Sequence, residues 1–227
     1  MRIFIASLIL LTTVYTVAQE SAEQKLSDFE SLIVQGRFTV DIKQSDDMRS
    51  VAVKHSPEVD LDKLSYTYTG KKLTIKYSGS LLNDVDLHLT LYVKKFSYIE
   101  AKQGAEVRVD KKFDFKDQPL TLKADSGGKL SVNIEAPWVV AEITKGGSIR
   151  VTGKTEVFTA EIKTGGTIGA AHLESETVNA KISLGGEIIC YPLKHLDAQV
   201  TSGGTISYKG KPSVDQKIRL GGTIESI

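Results

Sequence analysis

AEITKGGSIRV (141–151), AEIKTGGTIGA (160–170), AKISLGGEIIC (180–190) and AQVTSGGTISY (198–208) superpose without gaps, and their shared pattern decides the fold class. LKADSGGKLSV (122–132) and QKIRLGGTIES (216–226) fit the pattern more loosely, and IEAKQGAEVRV (99–109) is a degenerate copy with Gly-Ala in place of Gly-Gly. The first glycines of the six pairs are Gly127, Gly146, Gly165, Gly185, Gly203 and Gly221, spaced by 19, 19, 20, 18 and 18 residues. Inside each unit apolar residues alternate with polar ones, the period of a strand with one buried face. Ala141, Ile143, Ile149 and Val151 are expected to point inward, with Glu142, Ser148 and Arg150 outward. The same register returns as Ala160, Ile162, Ile168 and Ala170, and as Ala180, Ile182, Ile188 and Cys190. The Gly-Gly pair falls where the chain must turn a corner, a place that favours residues without Cβ.

A unit of this length is short for a propeller blade and lacks a leucine-rich consensus. It suits one coil of a right-handed parallel β-helix, with about six Gly-Gly coils stacked to roughly 29 Å at ~4.8 Å each. The competing arrangement is a meander-like sheet packed face to face. The expected class is therefore all-β, a parallel β-helix or solenoid over 111–227 joined to a β-rich N-terminal half over 29–110.

In that half the expected strands are Ser31–Gln35, Phe38–Gln44, Ser50–His55, Leu64–Thr69, Lys72–Tyr77, Val85–Val93 and Tyr98–Gln103. Thr69-Gly70-Lys71 reads as a tight hairpin. Pro57 followed by 58–63 suggests a short helical turn with proline at its start. Without a Pro- or Ser-rich linker between them, the halves are expected to form one continuous structure. The N-terminal half should then extend the solenoid sheets and cover their N-terminal end.

Residues 1–18 read as a signal peptide: Arg2, an apolar core from Ile3 to Leu11, and small residues at Thr16-Val17-Ala18 before Gln19. The apolar stretch is shorter than the ~20 residues a spanning helix needs, so cleavage is favoured over a retained anchor and no membrane span is expected afterwards. No cysteine follows it, which argues against a lipoprotein anchor there. Residues 19–28 form an N-terminal segment, and the expected location is exported: periplasmic, cell-surface or secreted. A formal net charge of +1 provides no global field for nucleic acid. The one cysteine excludes a disulfide framework.

FESLIVQGRFTVDIKQSDDMRSVAVKHSPEV (29–59), GKKLTIKYSG (70–79) and the GG-x-I repeats together resemble the GIN-type domain family, over about residues 27–226. That resemblance implies an extracytoplasmic β-helical head domain of the kind ascribed to auto-transporter adhesins and common in Bacteroidetes, with no enzymatic residues to carry over. No barrel sequence follows Ile227, so self-translocation is not expected.

Residues capable of chemistry do not form a recognisable motif. Polysaccharide-active β-helices need carboxylates converging on one exposed face. Here the outward columns are mixed: Lys129, Ser148, Thr167, Glu187, Thr205 and Thr223 follow the glycines, and Glu142, Glu161, Lys181, Gln199 and Lys217 precede them. Asp84, Asp86 and His88 share a strand face, but a hard cation wants six or more oxygens and zinc a third or fourth ligand, so a solvated edge is the better reading. Calcium rungs are disfavoured because no aspartate follows the glycines. Cys190 reads as a buried thiol, and His55, His172 and His195 as scattered residues without a nucleophile partner. Trp138, after Pro137, is expected to pack at a corner over the core, with an exposed binding aromatic as the alternative. No catalytic, cofactor-binding or metal residue is assigned.

The reading that remains is a non-catalytic binding or adhesion-like envelope protein whose partner is a glycan or another envelope component. The alternatives are a carbohydrate-active enzyme on the same scaffold and a lipid or envelope-component binder. The final unit leaves an open strand edge, which predicts edge-to-edge self-association or a cap borrowed from the N-terminal half.

Overall fold

Strict alternation of side chains produces strands and nearly nothing else. The computed structural model describes residues 22–46, 50–79, 86–110 and 113–227, with side chains from residue 25 onward. Its strands in chain order begin with β1 (Ala22–Lys25), β2 (Ser31–Gln35), β3 (Thr39–Gln44), β4 (Ser50–His55), β5 (Leu64–Thr69) and β6 (Lys72–Tyr77). Next come β7 (Leu87–Val93), β8 (Tyr98–Lys102), β9 (Glu106–Val109), β10 (Leu120–Asp125), β11 (Lys129–Lys145) and β12 (Ser148–Thr164). The chain finishes with β13 (Thr167–Leu184), β14 (Glu187–Ser202), β15 (Thr205–Tyr208), β16 (Ser213–Ile218) and β17 (Thr223–Ser226). The one helical turn among the described residues, Leu61–Lys63, is a 3-10 turn opened by the Asp60 carboxylate, which accepts from the Asp62 N–H. It starts after the Pro57 position expected from sequence, because Asp60 supplies the cap that proline cannot.

The strands stack as a parallel β-solenoid. Ala141, Ala160, Ala180 and Ala198 align in one column, and Ile143, Ile162, Ile182 and Val200 in the next. After the corner, Ile149, Ile168, Ile188, Ile206 and Ile224 form a third. All but Ile224 are fully or almost fully buried. Burial of each large aliphatic side chain contributes about 1.5–3 kcal/mol. These repeated columns therefore carry the stability of a chain with no disulfide. The face-to-face meander is ruled out by the pairing direction, since every contact between successive Gly-Gly rungs is parallel.

At the corner the two glycines differ. In the pair Gly185-Gly186 the first has φ +66° and open space on the side where a Cβ would project. The second has φ +111° and sits against Ile162 and the Gly166 carbonyl of the rung below. Hydrogen bonds run up the corner as a ladder: the Gly165 N–H donates to the Leu184 carbonyl at 3.0 Å and the Glu187 N–H to the Gly166 carbonyl at 3.0 Å.

The opposite corner is turned without glycine pairs. Ala136, Thr155, Ser175 and Pro192 stack there. Buried Thr155 Oγ1 reaches the carbonyls of Pro137 and Val157, and buried Ser175 Oγ donates to the Leu173 carbonyl. Small hydroxyl residues thus supply hydrogen bonds where the strand bends.

The N-terminal half continues both sheets, in an order that alternation alone does not encode. One face runs β5-β6-β2-β8-β10 and the other β1-β4-β7-β3-β9-β11. The rung of β2 and β3 is therefore held between β6 with β7 on one side and β8 with β9 on the other. Antiparallel β5, β4 and β1 cover that end, and Gly70-Lys71 makes the expected hairpin turn.

The far end is different. Among the described residues β16 pairs only with β14, and β17 only with β15. Ile218 is 45% exposed although it continues the buried Ile182–Val200 column. The expectation that the N-terminal half lends this end a cap is overturned, because that half is committed to the opposite end.

Candidate functional site

The corner without glycine pairs builds a long recess. Outward residues of successive rungs, Asn133 and Glu135, then Thr152 and Lys154, then His172 and Glu174, are brought into line by the stacking register. Asn133 Nδ2 donates to Thr152 Oγ1 at 2.7 Å, tying two rungs together. The segment 113–118 folds beside them, anchored from beneath by three rings. Phe113 and Phe115 stack at 4.8 Å between centroids, and Phe96 packs against both at 4.6 and 5.2 Å. The Asp114 N–H donates to Gln44 Oε1 and Gln118 Nε2 to the Phe96 carbonyl, so the segment is fixed at both ends.

A depression of about 490 Å³ lies between this segment and the rungs, and a second of about 410 Å³ continues past Pro137 to Leu193. Lys116, Glu135 and Lys154 line both, so the two form one groove. Gly153 belongs to its floor for a steric reason. Its φ is +117° and a Cβ there would lie 1.8 Å from the Ile134 carbonyl oxygen.

The groove is charged in alternation. Lys116 faces Glu135 at 3.6 Å, Lys154 faces Glu174 at 3.2 Å and Lys194 faces Glu176 at 2.9 Å. These pairs are exposed and each contributes little to stability. Their donors and acceptors remain open to solvent and suit hydrogen bonding to a polar chain. Leu193, 47% exposed, adds an apolar spot at one end.

A second organised surface is the sheet face before the glycines. Glu142 is bound by Lys163, through a short contact, and by Lys123 at 3.5 Å. Partial burial pushes the Glu142 carboxyl up, but the Lys163 hydrogen bond and the charges of Lys123 and Lys163 outweigh it and hold the group below the ordinary glutamate range. Beside it the Tyr98 hydroxyl donates to Glu100 Oε2 at 3.1 Å, and burial, then the Glu100 charge, push that phenol upward. A lowered carboxylate stabilises the fold above its unfolded pKa of ~4.3 and loses that effect as pH falls through the lower folded value. Glu142→Gln is therefore expected to cost under about 1 kcal/mol at pH 7. The gap from wild type should close in urea melts repeated below about pH 4.

The residues singled out from sequence do not converge. Asp84 lies outside the described residues. Asp86 is exposed, and its carbonyl accepts from the Ser56 N–H. His88 pairs instead with Asp41 on β3, Nε2 to Oδ2 at 2.8 Å. His55 contacts the Ser56 carbonyl, His195 contacts Ser213 Oγ at 2.9 Å, and His172 is exposed on the solenoid surface. Cys190 is buried, which pushes its thiol up to about 12. Among the described residues no three His, Cys, Asp or Glu gather as a metal site would require. Trp138 follows the alternative of exposure and not the favoured core packing. It stands in the outward register beside buried Val139 and is 51% exposed.

Sequence patterning does not announce the groove, because its walls come from exposed positions about one coil apart. One signal is present: Phe113 and Phe115 are two aromatics in a polar stretch, KKFDFKDQP (111–119), too apolar for a free loop.

Residues 28–212 match the family model described as "Putative auto-transporter adhesin, head GIN domain". No curated protein matches the chain. Among solved structures, a "putative adhesin" from Bacteroides fragilis NCTC 9343 superposes with a TM-score of 0.79 at 18% identity, covering 93% of this chain and 98% of that one. A "putative lipid binding protein" from Parabacteroides distasonis ATCC 8503 gives 0.70 at 20% identity, covering 93% and 98%. A "putative adhesin" from Parabacteroides merdae ATCC 43184 gives 0.66 at 19% identity, covering 93% and 97%. At these identities the likeness establishes a shared solenoid fold.

Proposed function

The chain belongs to the GIN head-domain family, and from that membership we propose that it is a non-catalytic, exported binding protein of the cell envelope, adhesion-like, which holds a polar polymer along its corner groove. The partner class is a glycan or a glycan-bearing envelope component. The observation that carries this reading is the continuous groove with Lys116, Glu135 and Lys154 shared by both of its depressions. An elongated site with alternating donors and acceptors fits a chain of hydroxyl groups better than a small enclosed ligand. Exposed Trp138, directly after the groove residue Pro137, adds an aromatic surface on the neighbouring face.

Two other readings are weaker on the same observations. A glycoside hydrolase needs a carboxyl kept protonated by apolar surroundings, whereas Glu135, Glu174 and Glu176 each face a lysine. A lipid binder in the manner named for the P. distasonis protein would need an apolar slot for an acyl chain. The groove mixes lysines and glutamates with separate apolar residues such as Pro137 and Leu193, which suits a polar headgroup better than an acyl chain.

Glycan-array screening followed by calorimetry on the hits tests the proposal. Lys116→Glu with Lys154→Glu is expected to weaken the best hit roughly tenfold, the loss of one or two charge-assisted hydrogen bonds. Retention of full affinity in that variant, or no glycan and no envelope fraction retained at all, would reject it.

A further inference from the structure

The open end of the solenoid has a specific complement: itself. In β16 the Arg219 N–H, just past the strand, donates to the Val200 carbonyl of β14. Backbone groups alternate sides along a strand, so Ser213, Asp215 and Lys217 turn their amides toward β14. Val214, Gln216 and Ile218 present theirs to the free edge. Exposed edges of this kind are templates for pairing, and the charge pattern restricts how a second strand can add.

Consider an antiparallel partner of identical sequence, related by a twofold axis. Axes at Val214, Gln216 and Ile218 centre on a hydrogen-bonded pair and those at Asp215 and Lys217 on a non-hydrogen-bonded one. The latter two set Asp215 against Asp215 or Lys217 against Lys217, like charges directly opposite. An axis at Val214 sets Lys217 against Lys211, and one at Ile218 sets Lys217 against Arg219; both oppose like charges. An axis at Gln216 sets Asp215 against Lys217 in both directions on the outer face. On the inner face it sets Val214 against Ile218. Gln216 meets its own copy, in the column filled by Ala141, Ala160, Ala180 and Ala198 in the rungs below. Asp215 is 82% exposed, with His195 Nε2 at 3.7 Å, so it is accessible to a partner. Ile218 and Leu220, 45% and 77% exposed, lie at the same end and lose water on pairing.

We propose that the edge of β16 pairs antiparallel with β16 of a second copy, about a twofold axis at Gln216. The two solenoids are then joined tail to tail and their N-terminal ends point apart. An isologous contact of this type closes at two copies. The result is a longer solenoid with a groove on each half.

Sedimentation velocity over concentrations up to about 0.2 mM on four forms of the chain provides the test: wild type, Asp215→Lys, Lys217→Asp and the double exchange. Circular dichroism melts confirm that each is folded. Wild type is expected to form a dimer that saturates at two copies. Each single reversal, which creates two like-charged pairs across the axis, should weaken association roughly tenfold. The double exchange should restore it, because the two charges trade places and opposite signs face each other again. A monomer at every concentration, equal association in all four forms, or growth beyond two copies by stacking of β16 on β5 would each overturn the proposal.

Discussion

Replacing Gly186 by alanine should cost about 3 kcal/mol or more, while the same change at Gly185 should cost about 1 kcal/mol. The two residues are neighbours in sequence and both have positive φ, so propensity alone would treat them alike. Their surroundings separate them. Gly185 has φ +66°, the left-handed region that alanine enters at modest cost, and open space where its Cβ would go. Gly186 has φ +111°, outside that region, and its Cβ would lie 2.9 Å from Ile162 Cγ2 and 3.0 Å from the Gly166 carbonyl oxygen. That oxygen accepts from the Glu187 N–H, so it cannot move away without breaking the corner ladder. In a stack where each rung contacts only its neighbours, a defect in the middle uncouples the two sides. Denaturant titrations of both variants measure the difference; equal shifts in midpoint at unchanged slope would contradict this account of the corner. Gly185→Asn should be milder still, since asparagine tolerates the left-handed region.

This division of labour between the glycines explains why the repeat is so legible. At the corners from Gly146-Gly147 to Gly221-Gly222 the second position combines positive φ with close neighbours and so favours glycine, and inward positions favour small or aliphatic side chains of matched volume. Both constraints recur through these rungs, so they print themselves on the sequence, while the earlier corner at Gly104-Ala105, where Ala105 has no positive φ, accepts alanine. What does not print itself is the order of the N-terminal rungs. The alternating patterns of 31–44 and 72–93 would satisfy any position in the stack, because an inward face of Leu32, Val34, Val40 and Ile42 packs equally well above or below another such rung. Partner choice in a sheet is a non-local property, and alternation carries no record of it. Trp138 departs from the favoured packing for a related reason. A lone aromatic after proline looks like a plug, yet the register fixed by Val139 and Ala141 turns it outward. The groove is the least legible feature: its lysines and glutamates are ordinary surface residues until the 18-to-20-residue spacing and the 113–118 segment place them together.

That segment provides the second large effect. Phe115→Ala is expected to destabilise the protein by about 3–5 kcal/mol, the range for emptying a buried phenylalanine site. Phe115 is 1% exposed and is held by two rings at once, Phe113 at 4.8 Å and Phe96 at 5.2 Å. Aromatic pairs of this geometry add about 0.5–1.5 kcal/mol beyond burial. The consequence should be local before it is global. The turn after Phe115 is closed by the Gln118 N–H donating to the Phe115 carbonyl, and the turn before it by the Phe113 N–H donating to the Asp110 carbonyl. With the ring gone, both turns lose the anchor that keeps them against β11, and Lys116 is no longer held opposite Glu135. Hydrogen exchange should then show 113–118 opening well before the Gly-Gly rungs, whose inward columns are untouched. Phe115→Leu, which keeps most of the volume, should recover more than half of the loss. Should the alanine variant instead leave exchange at 113–118 unchanged, the three rings would not be what holds this wall of the groove. Uniformly faster exchange along the whole chain would place Phe115 in the global core and separate the groove's integrity from it.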